Sequence, residues 1–173
     1  NYNKSIKINP NYAQAYNNLG VCLHRLGKID EAIQGYRKAI EIQPKHADAY
    51  NNLGAAFKER GGREKSITFF QKAIEIQPKH ADAHNNLGTV FKQLKEYKKS
   101  IYYYNEAIQI KPSSATYSNL GNVFKGLGEY DKAINYQEQA IQVNPRYADA
   151  YYNLATIFEK LSEFEKAIKY YLK

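Results

Sequence analysis

Apolar residues recur along this chain at offsets of three and four, in segments that read as amphipathic helices. The triplets are Tyr16, Leu19, Leu23; Tyr50, Leu53, Phe57; His84, Leu87, Phe91; Tyr117, Leu120, Phe124; and Tyr151, Leu154, Phe158. Such spacing gathers the side chains on one helical face. A second kind of stripe alternates with these, small residues flanking a larger one: Ala32, Tyr36, Ala39; Ser66, Phe70, Ala73; Ser100, Tyr104, Ala107; and Ala133, Gln137, Ala140. Small residues let two helices approach closely while the large side chain fills the gap between them. The pattern predicts pairs of packed helices, A and B, repeated along the chain.

The punctuation gives the period. Pro10, Pro44, Pro78, Pro112 and Pro145 are separated by 34, 34, 34 and 33 residues, the mark of one supersecondary unit copied in tandem. With proline as position 32, the units are 13–46, 47–80, 81–113 and 114–147, with an incomplete fifth at 148–173 and the tail of an earlier one at 1–12. Position 8 is Gly20, Gly54, Gly88 and Gly121, where a missing Cβ permits close helix contact. Position 15 is Gly27, Gly61 and Gly128, suited to the left-handed residue that ends a helix. Lys95 and Ser162 stand at position 15 in the third and fifth units, a cost on the order of 1 kcal/mol each if the backbone is left-handed there.

Together these residues resemble the tetratricopeptide repeat (TPR) family, and the resemblance covers essentially the whole chain. It implies an all-α, right-handed α-solenoid of antiparallel helical hairpins, with A helices lining a concave groove and B helices forming the convex back. Three departures stand out: Arg63 where the other units have Ile29, Tyr97, Tyr130 and Phe164; Gln137 in place of an aromatic; and one residue fewer between Pro112 and Tyr117. Looser packing at the second unit's turn and a local change of superhelical pitch near residue 113 are the expected results.

Composition narrows the function. There are 25 Lys plus Arg against 17 Asp plus Glu, a formal charge of +8, one cysteine and no methionine. Lacking an initiator Met, the sequence is expected to be part of a longer or processed protein. No apolar run approaches the roughly 18 residues of a membrane span, so no membrane partner is expected. A single thiol suits a reducing, intracellular and most simply cytoplasmic setting. Asn3-Lys4-Ser5 matches the glycosylation triplet but lies in a helical segment without secretory context. Lys65, Lys99, Lys132 and Lys166, with Lys38, Lys72 and Lys173, predict a basic stripe on the B helices. The interleaved Glu, Gln and Asn make this a solvated face and disfavour nucleic acid as a partner.

No catalytic constellation is visible, and no cofactor is expected. His80 and His84 share a helix face at zinc-site spacing, but His84 fills a core slot held elsewhere by tyrosine, and no third ligand is evident. Cys22 aligns with Ala56, Val90, Val123 and Ile157 and is expected in the core. The informative positions are those on helix A that the core does not require. Position 6 is Asn18, Asn52, Asn86, Asn119 and Asn153; position 5 is Asn17, Asn51, Asn85, Ser118 and Tyr152; position 9 includes Thr89, Asn122 and Thr156.

A carboxamide offers both donor and acceptor and matches the amide edge of an extended peptide. Such bonds contribute only about 0.5–1.5 kcal/mol each, so several rungs must act together. The alternative is that these asparagines bond to neighbouring helices. Asp48, Asp82 and Asp149 at position 2 suit basic or hydroxyl groups of that peptide, or simply the helix dipole. Lys58, Lys92 and Lys125, with His24, add charge along one margin at position 12.

The expected function is therefore a non-catalytic module that binds a protein or peptide. The asparagine ladder, with motifs such as Ala47-Asp48-Ala49-Tyr50-Asn51-Asn52-Leu53-Gly54, also resembles the superhelical region of protein O-GlcNAc transferases, which implies a substrate-recruiting arm whose catalytic domain lies elsewhere. A third reading is a scaffold segment of a larger assembly. The fifth unit stops at position 26, leaving Ile168, Tyr171 and Leu172 without a following helix, a surface suited to end-to-end self-association.

Overall fold

The computed structural model describes residues 11–173. The glycosylation triplet and most of the preceding repeat's tail lie outside them. Among the described residues every regular element is an α-helix, as the periodicity predicts: α1 (Ala13–Arg25), α2 (Ile29–Ile42), α3 (Ala47–Glu59), α4 (Arg63–Ile76), α5 (Ala81–Gln93), α6 (Tyr97–Ile110), α7 (Ser114–Gly126), α8 (Tyr130–Val143), α9 (Ala148–Lys160) and α10 (Phe164–Tyr171). The chain forms two compact units, 1–90 and 91–173, the division falling inside α5.

In the first unit α1 packs on α2 and α3 on α4, and α3 also packs on both helices of the first hairpin. Ala32, Ile33 and Tyr36 of α2 meet Leu53, Ala56 and Phe57 of α3 in one apolar cluster. The close approach depends on glycine. A Cβ on Gly20 would lie 2.6 Å from the Tyr36 ring, and one on Gly54 2.7 Å from the Phe70 ring. In the second unit α7 packs on α6, α8 and α9, with α10 closing against α9. Ile157 joins Leu120, Val123 and Phe124 in its core.

The turns follow the sequence pattern. Gly27, Gly61 and Gly128 have φ of 75°, 79° and 77°, and Lys95 and Ser162 adopt the same left-handed backbone at 60°. Each turn is closed by a bond from position 16 back to position 11: Lys28 N–H to Leu23 O at 2.9 Å, Gly62 to Phe57 at 2.8 Å, Glu96 to Phe91 at 2.9 Å, Glu129 to Phe124 at 3.0 Å and Glu163 to Phe158 at 2.8 Å. These bonds satisfy carbonyls that the helix end would otherwise leave open.

The departures have local structural outcomes. Arg63 is exposed, whereas Ile29 packs against the first unit's core and Tyr97 and Tyr130 against the second's. The short link before α7 is absorbed by Ser113, an extended residue whose hydroxyl accepts from Thr116 N–H in place of the turn and ring cap found before α3. Gln137 is fully buried; its Nε2 donates to Ser118 O at 3.1 Å and Asn122 Oδ1 at 3.4 Å, and its Oε1 has no partner among the described residues. Cys22 corrects the sequence reading. It is exposed rather than buried, because Ala56 and Ile157 are covered by the hairpin before them and no described hairpin precedes α1. Ile168, Tyr171 and Leu172 are also exposed, Leu172 to 83%.

Candidate functional site

The asparagines of the first helix in each hairpin form two rows with different duties. Asn52 Nδ2 donates to Asn17 Oδ1 at 3.0 Å, Asn86 Nδ2 to Asn51 Oδ1 at 3.0 Å, and Asn153 Nδ2 to Ser118 Oγ at 3.0 Å. Position 6 of one repeat therefore bonds to position 5 of the repeat before it. Position 5 is the inner row: Asn17 is only 3% exposed and Asn51 8%. Asn18, Asn52, Asn86 and Asn119 of the outer row are half-buried, while Asn153 is buried. Asn85 is half-buried, and its carbonyl accepts from Thr89 Oγ1 at 3.0 Å.

These bonds orient the outer amides. With Nδ2 turned to the preceding hairpin, the Oδ1 atoms of Asn52 and Asn86 have no acceptor duty among the described residues. Asn18 is held differently, its Oδ1 accepting from Gln14 Nε2 at 2.8 Å.

The carboxylates at position 2 are exposed. Asp48 pairs with His80 of the next linker, Nε2 to Oδ1 at 3.1 Å. His80 Nδ1 accepts from Ala83 N–H at 3.2 Å, which places the ring proton on Nε2. His80 is thus a helix cap tied to the preceding repeat, and His46 caps α3 in the same way, through Ala49 N–H. His84 lies in the core with Nε2 3.0 Å from Pro78 O. Asp82 and Asp149 stand at the starts of α5 and α9. No group of three His, Cys, Asp or Glu among the described residues is placed to hold a metal ion.

The position 12 side chains are half-buried. Burial pushes the Lys58 ammonium below its ordinary range, and burial followed by the charge of Lys160 does the same to Lys125. Lys125 Nζ donates to Thr156 Oγ1 at 3.1 Å. Lys92 is half-buried in the last turn of α5. Open cavities occur at two junctions between hairpins. One of about 340 Å³ is lined by Val21, His24, Arg25, Tyr36, Asn52 and Glu59. The other, about 270 Å³, is lined by Asn122, Lys125, Gly126, Tyr130, Thr156 and Lys160.

The lysines read as a basic stripe have partners that the sequence reading missed. Lys65, Lys99, Lys132 and Lys166 lie over the rings of Phe57, Phe91, Phe124 and Phe158, 5.1–5.5 Å from their centroids. The same rings stack on Phe69, Tyr103, Tyr136 and Tyr170 at 5.3–5.5 Å. Lys99, Lys132 and Lys166 also pair with Glu96, Glu129 and Glu163, and Lys38 and Lys72 with Glu41 and Glu75. The packing of the position 19 lysines is cation–π within the last four hairpins, and three of these lysines are also charge-balanced. Its signal was present: lysine at position 19 accompanies phenylalanine at position 11, and both are missing from the first repeat, which has Glu31 and Leu23.

Comparison with known proteins agrees with this architecture. A family model described as tetratricopeptide repeat matches residues 45–113 and 113–173, a second of that description matches 1–34, and a TPR repeat model matches 23–61. No curated protein matches the chain at a significant level. Among solved structures, MamA is 26% identical over 88% of this chain and 90% of its own, with a TM-score of 0.74. PilF of Pseudomonas aeruginosa is 26% identical over 92% of this chain and 73% of its own, with a TM-score of 0.86. YrrB, described as a TPR protein with an unusual peptide-binding site, is 24% identical over 98% of this chain and 88% of its own, with a TM-score of 0.72; this likeness is one of fold.

Proposed function

The chain belongs to the tetratricopeptide repeat family, and on that premise we propose that it is a non-catalytic interaction module that holds an extended peptide along the first helices of its hairpins. The observation that carries this reading is the outer asparagine row. Asn52 and Asn86 are half-buried, fixed in rotamer by their bonds to Asn17 and Asn51, and carry an Oδ1 aimed away from those bonds. Oriented acceptors at repeat spacing suit the N–H groups of an extended chain, and a side chain already fixed loses little entropy on binding. Lys58, Lys92 and Lys125, at position 12 of their repeats, suit acidic groups of a ligand. Asp48, Asp82 and Asp149 at the helix starts suit basic ones. The transferase-arm reading rests on the asparagine motif alone.

The test is selection of short peptides from a random library on the wild-type chain, followed by binding to Ala55→Arg. Ala55 is half-buried at position 9 of α3, one turn from Asn52, so arginine there obstructs the face without cutting a rung. Lys72→Glu on α4 is the control for the other face. At least a tenfold loss for Ala55→Arg alone, with helicity retained, is the expected result; equal binding to all three proteins would overturn the reading.

A further inference from the structure

The two junction cavities occupy corresponding places, each bounded by positions 9, 12 and 13 of one repeat and by position 13 of the next. Their charge differs. In the cavity between the first two hairpins, His24 at position 12 faces Glu59 at position 13 of the next repeat, Nε2 to Oε2 at 3.0 Å. In the cavity between α7 and α9 the same two places hold Lys125 and Lys160. Two ammonium groups stand where the first cavity, which Arg25 also lines, has an imidazole and a carboxylate.

Nothing described neutralises them. Neither Lys125 nor Lys160 forms an ion pair among the described residues. Glu159, beside Lys160 in sequence, accepts from Tyr171 Oη at 2.7 Å. Half-burial imposes a desolvation cost on the Lys125 ammonium, and the like charge of Lys160 adds to it; both push the group below its ordinary range.

In the remaining lining Thr156 holds Lys125 in place and Asn122 is oriented for donation. Thr156 Oγ1 gives its hydrogen to Asn153 O at 2.8 Å and accepts from Lys125 Nζ, which fixes one of the three Lys125 N–H bonds and leaves two. Asn122 Oδ1 accepts from the buried Gln137 at 3.4 Å, so its Nδ2 group is left to donate. Gly126 keeps the site open. It occupies position 13, where the other repeats carry Arg25, Glu59, Gln93 and Lys160, and a Cβ added there would meet only Tyr97 Oη, at 3.8 Å.

From this we infer that the cavity bounded by Lys125, Lys160, Thr156 and Asn122 is a subsite for an anionic side chain of the bound peptide, a carboxylate or a phosphoryl group. The inference rests on the peptide-binding reading above and assigns that ligand its charge. It also gives Gln137 a purpose. A phenylalanine, as at Phe70, has no donor with which to hold Asn122 with its carbonyl turned inward.

The experiment uses the full chain and pools of fluorescein-labelled short peptides, random except for one central residue fixed as Glu, phosphoserine, Gln or Lys. Polarisation is read on the wild type and on Lys160→Glu, which puts at this junction the carboxylate that Glu59 supplies at the first. The wild type is expected to bind the Glu or phosphoserine pool about tenfold more tightly than the Gln pool, the size of one charge-assisted hydrogen bond. The tighter of the two identifies the group. Lys160→Glu should erase that preference, with helicity by circular dichroism as the folding control. Equal wild-type affinity for all four pools, or an acid preference that survives Lys160→Glu, overturns the subsite while peptide binding stands. No measurable binding of any pool overturns the peptide reading itself, and the subsite with it.

Discussion

Asn52 Nδ2 lies 3.0 Å from Asn17 Oδ1, a bond between residues 35 apart in sequence. The interval is one repeat plus one residue, so the bond can recur wherever the period is kept, and it does between Asn86 and Asn51. A polar row that looks from its sequence like a binding surface is therefore also a seam. Asn17 and Asn51 of the inner row are buried and brace the stack, while Asn52 and Asn86 of the outer row are half-buried.

Cutting that seam should weaken neighbouring hairpins jointly. In a double-mutant cycle of Asn17→Ala and Asn52→Ala followed by urea denaturation, the coupling is expected at about 0.5–1.5 kcal/mol, the net contribution of one hydrogen bond. An Asn51 and Asn86 cycle should give a similar value. Additive losses in both would show that the amides act independently.

Gln137 stands where Tyr36, Phe70 and Tyr104 fill the space between two helices, and its buried Oε1 has no partner among the described residues. Gln137→Phe should raise stability by about 1–2 kcal/mol by removing an unsatisfied acceptor and adding apolar contact. Phe70→Gln should lower it by about 3 kcal/mol. The same Gln137→Phe chain should lose its preference for acidic peptides, a trade of function for stability that urea midpoints and peptide polarisation together would reveal.

Lys95 and Ser162 hold a left-handed backbone with a side chain in place. Lys95→Gly and Ser162→Gly are each expected to stabilise by about 0.5–1 kcal/mol, the strain relieved less the extra freedom of glycine when unfolded. Gly61→Ala and Gly128→Ala should destabilise by a comparable amount. Thermal midpoints of the four variants check both signs.

Burial, followed by the charge of Glu59, pushes the Tyr36 hydroxyl up to about 12. Unfolded, the same phenol ionises near 10, so above that pH the unfolded chain binds fewer protons than the folded one. Stability is then lost with rising pH, the folded-to-unfolded ratio falling about tenfold per pH unit from this residue until pH 12; below pH 10 its contribution is complete. Tyr36→Phe should show a shallower alkaline loss in urea midpoints taken across that window, and parallel curves would count against it.

The fold was legible because its determinants are local and repeated. Proline spacing, the position 8 and 15 glycines and the small-large-small stripe of Ala32, Tyr36 and Ala39 each act through backbone geometry or direct steric contact, and each recurs where the period predicts. The site was legible only in outline. The two asparagine rows are adjacent in sequence, and nothing in Asn17-Asn18 says which will face the preceding hairpin, since that depends on how two hairpins dock. Cys22 misled for the same reason: its counterparts are buried by a neighbour, and the residue type alone does not report one. The stacking of Lys132, Phe124 and Tyr136 crosses a turn between two helices, so it has no single helical period to betray it. The like-charged pair of Lys125 and Lys160 was invisible until position 12 of one repeat was seen to face position 13 of the next.

The seam of Asn17 and Asn52 also bears on how such a chain can lengthen over generations. A duplicated hairpin arrives with an acceptor for whatever follows it and a donor for whatever precedes it, so gene duplication yields a copy that is compatible with its neighbours from the outset. Ser118, receiving Asn153 in place of an asparagine, marks how far that inheritance can drift: the partner may change chemistry, provided a short side chain still offers an oxygen at the right height.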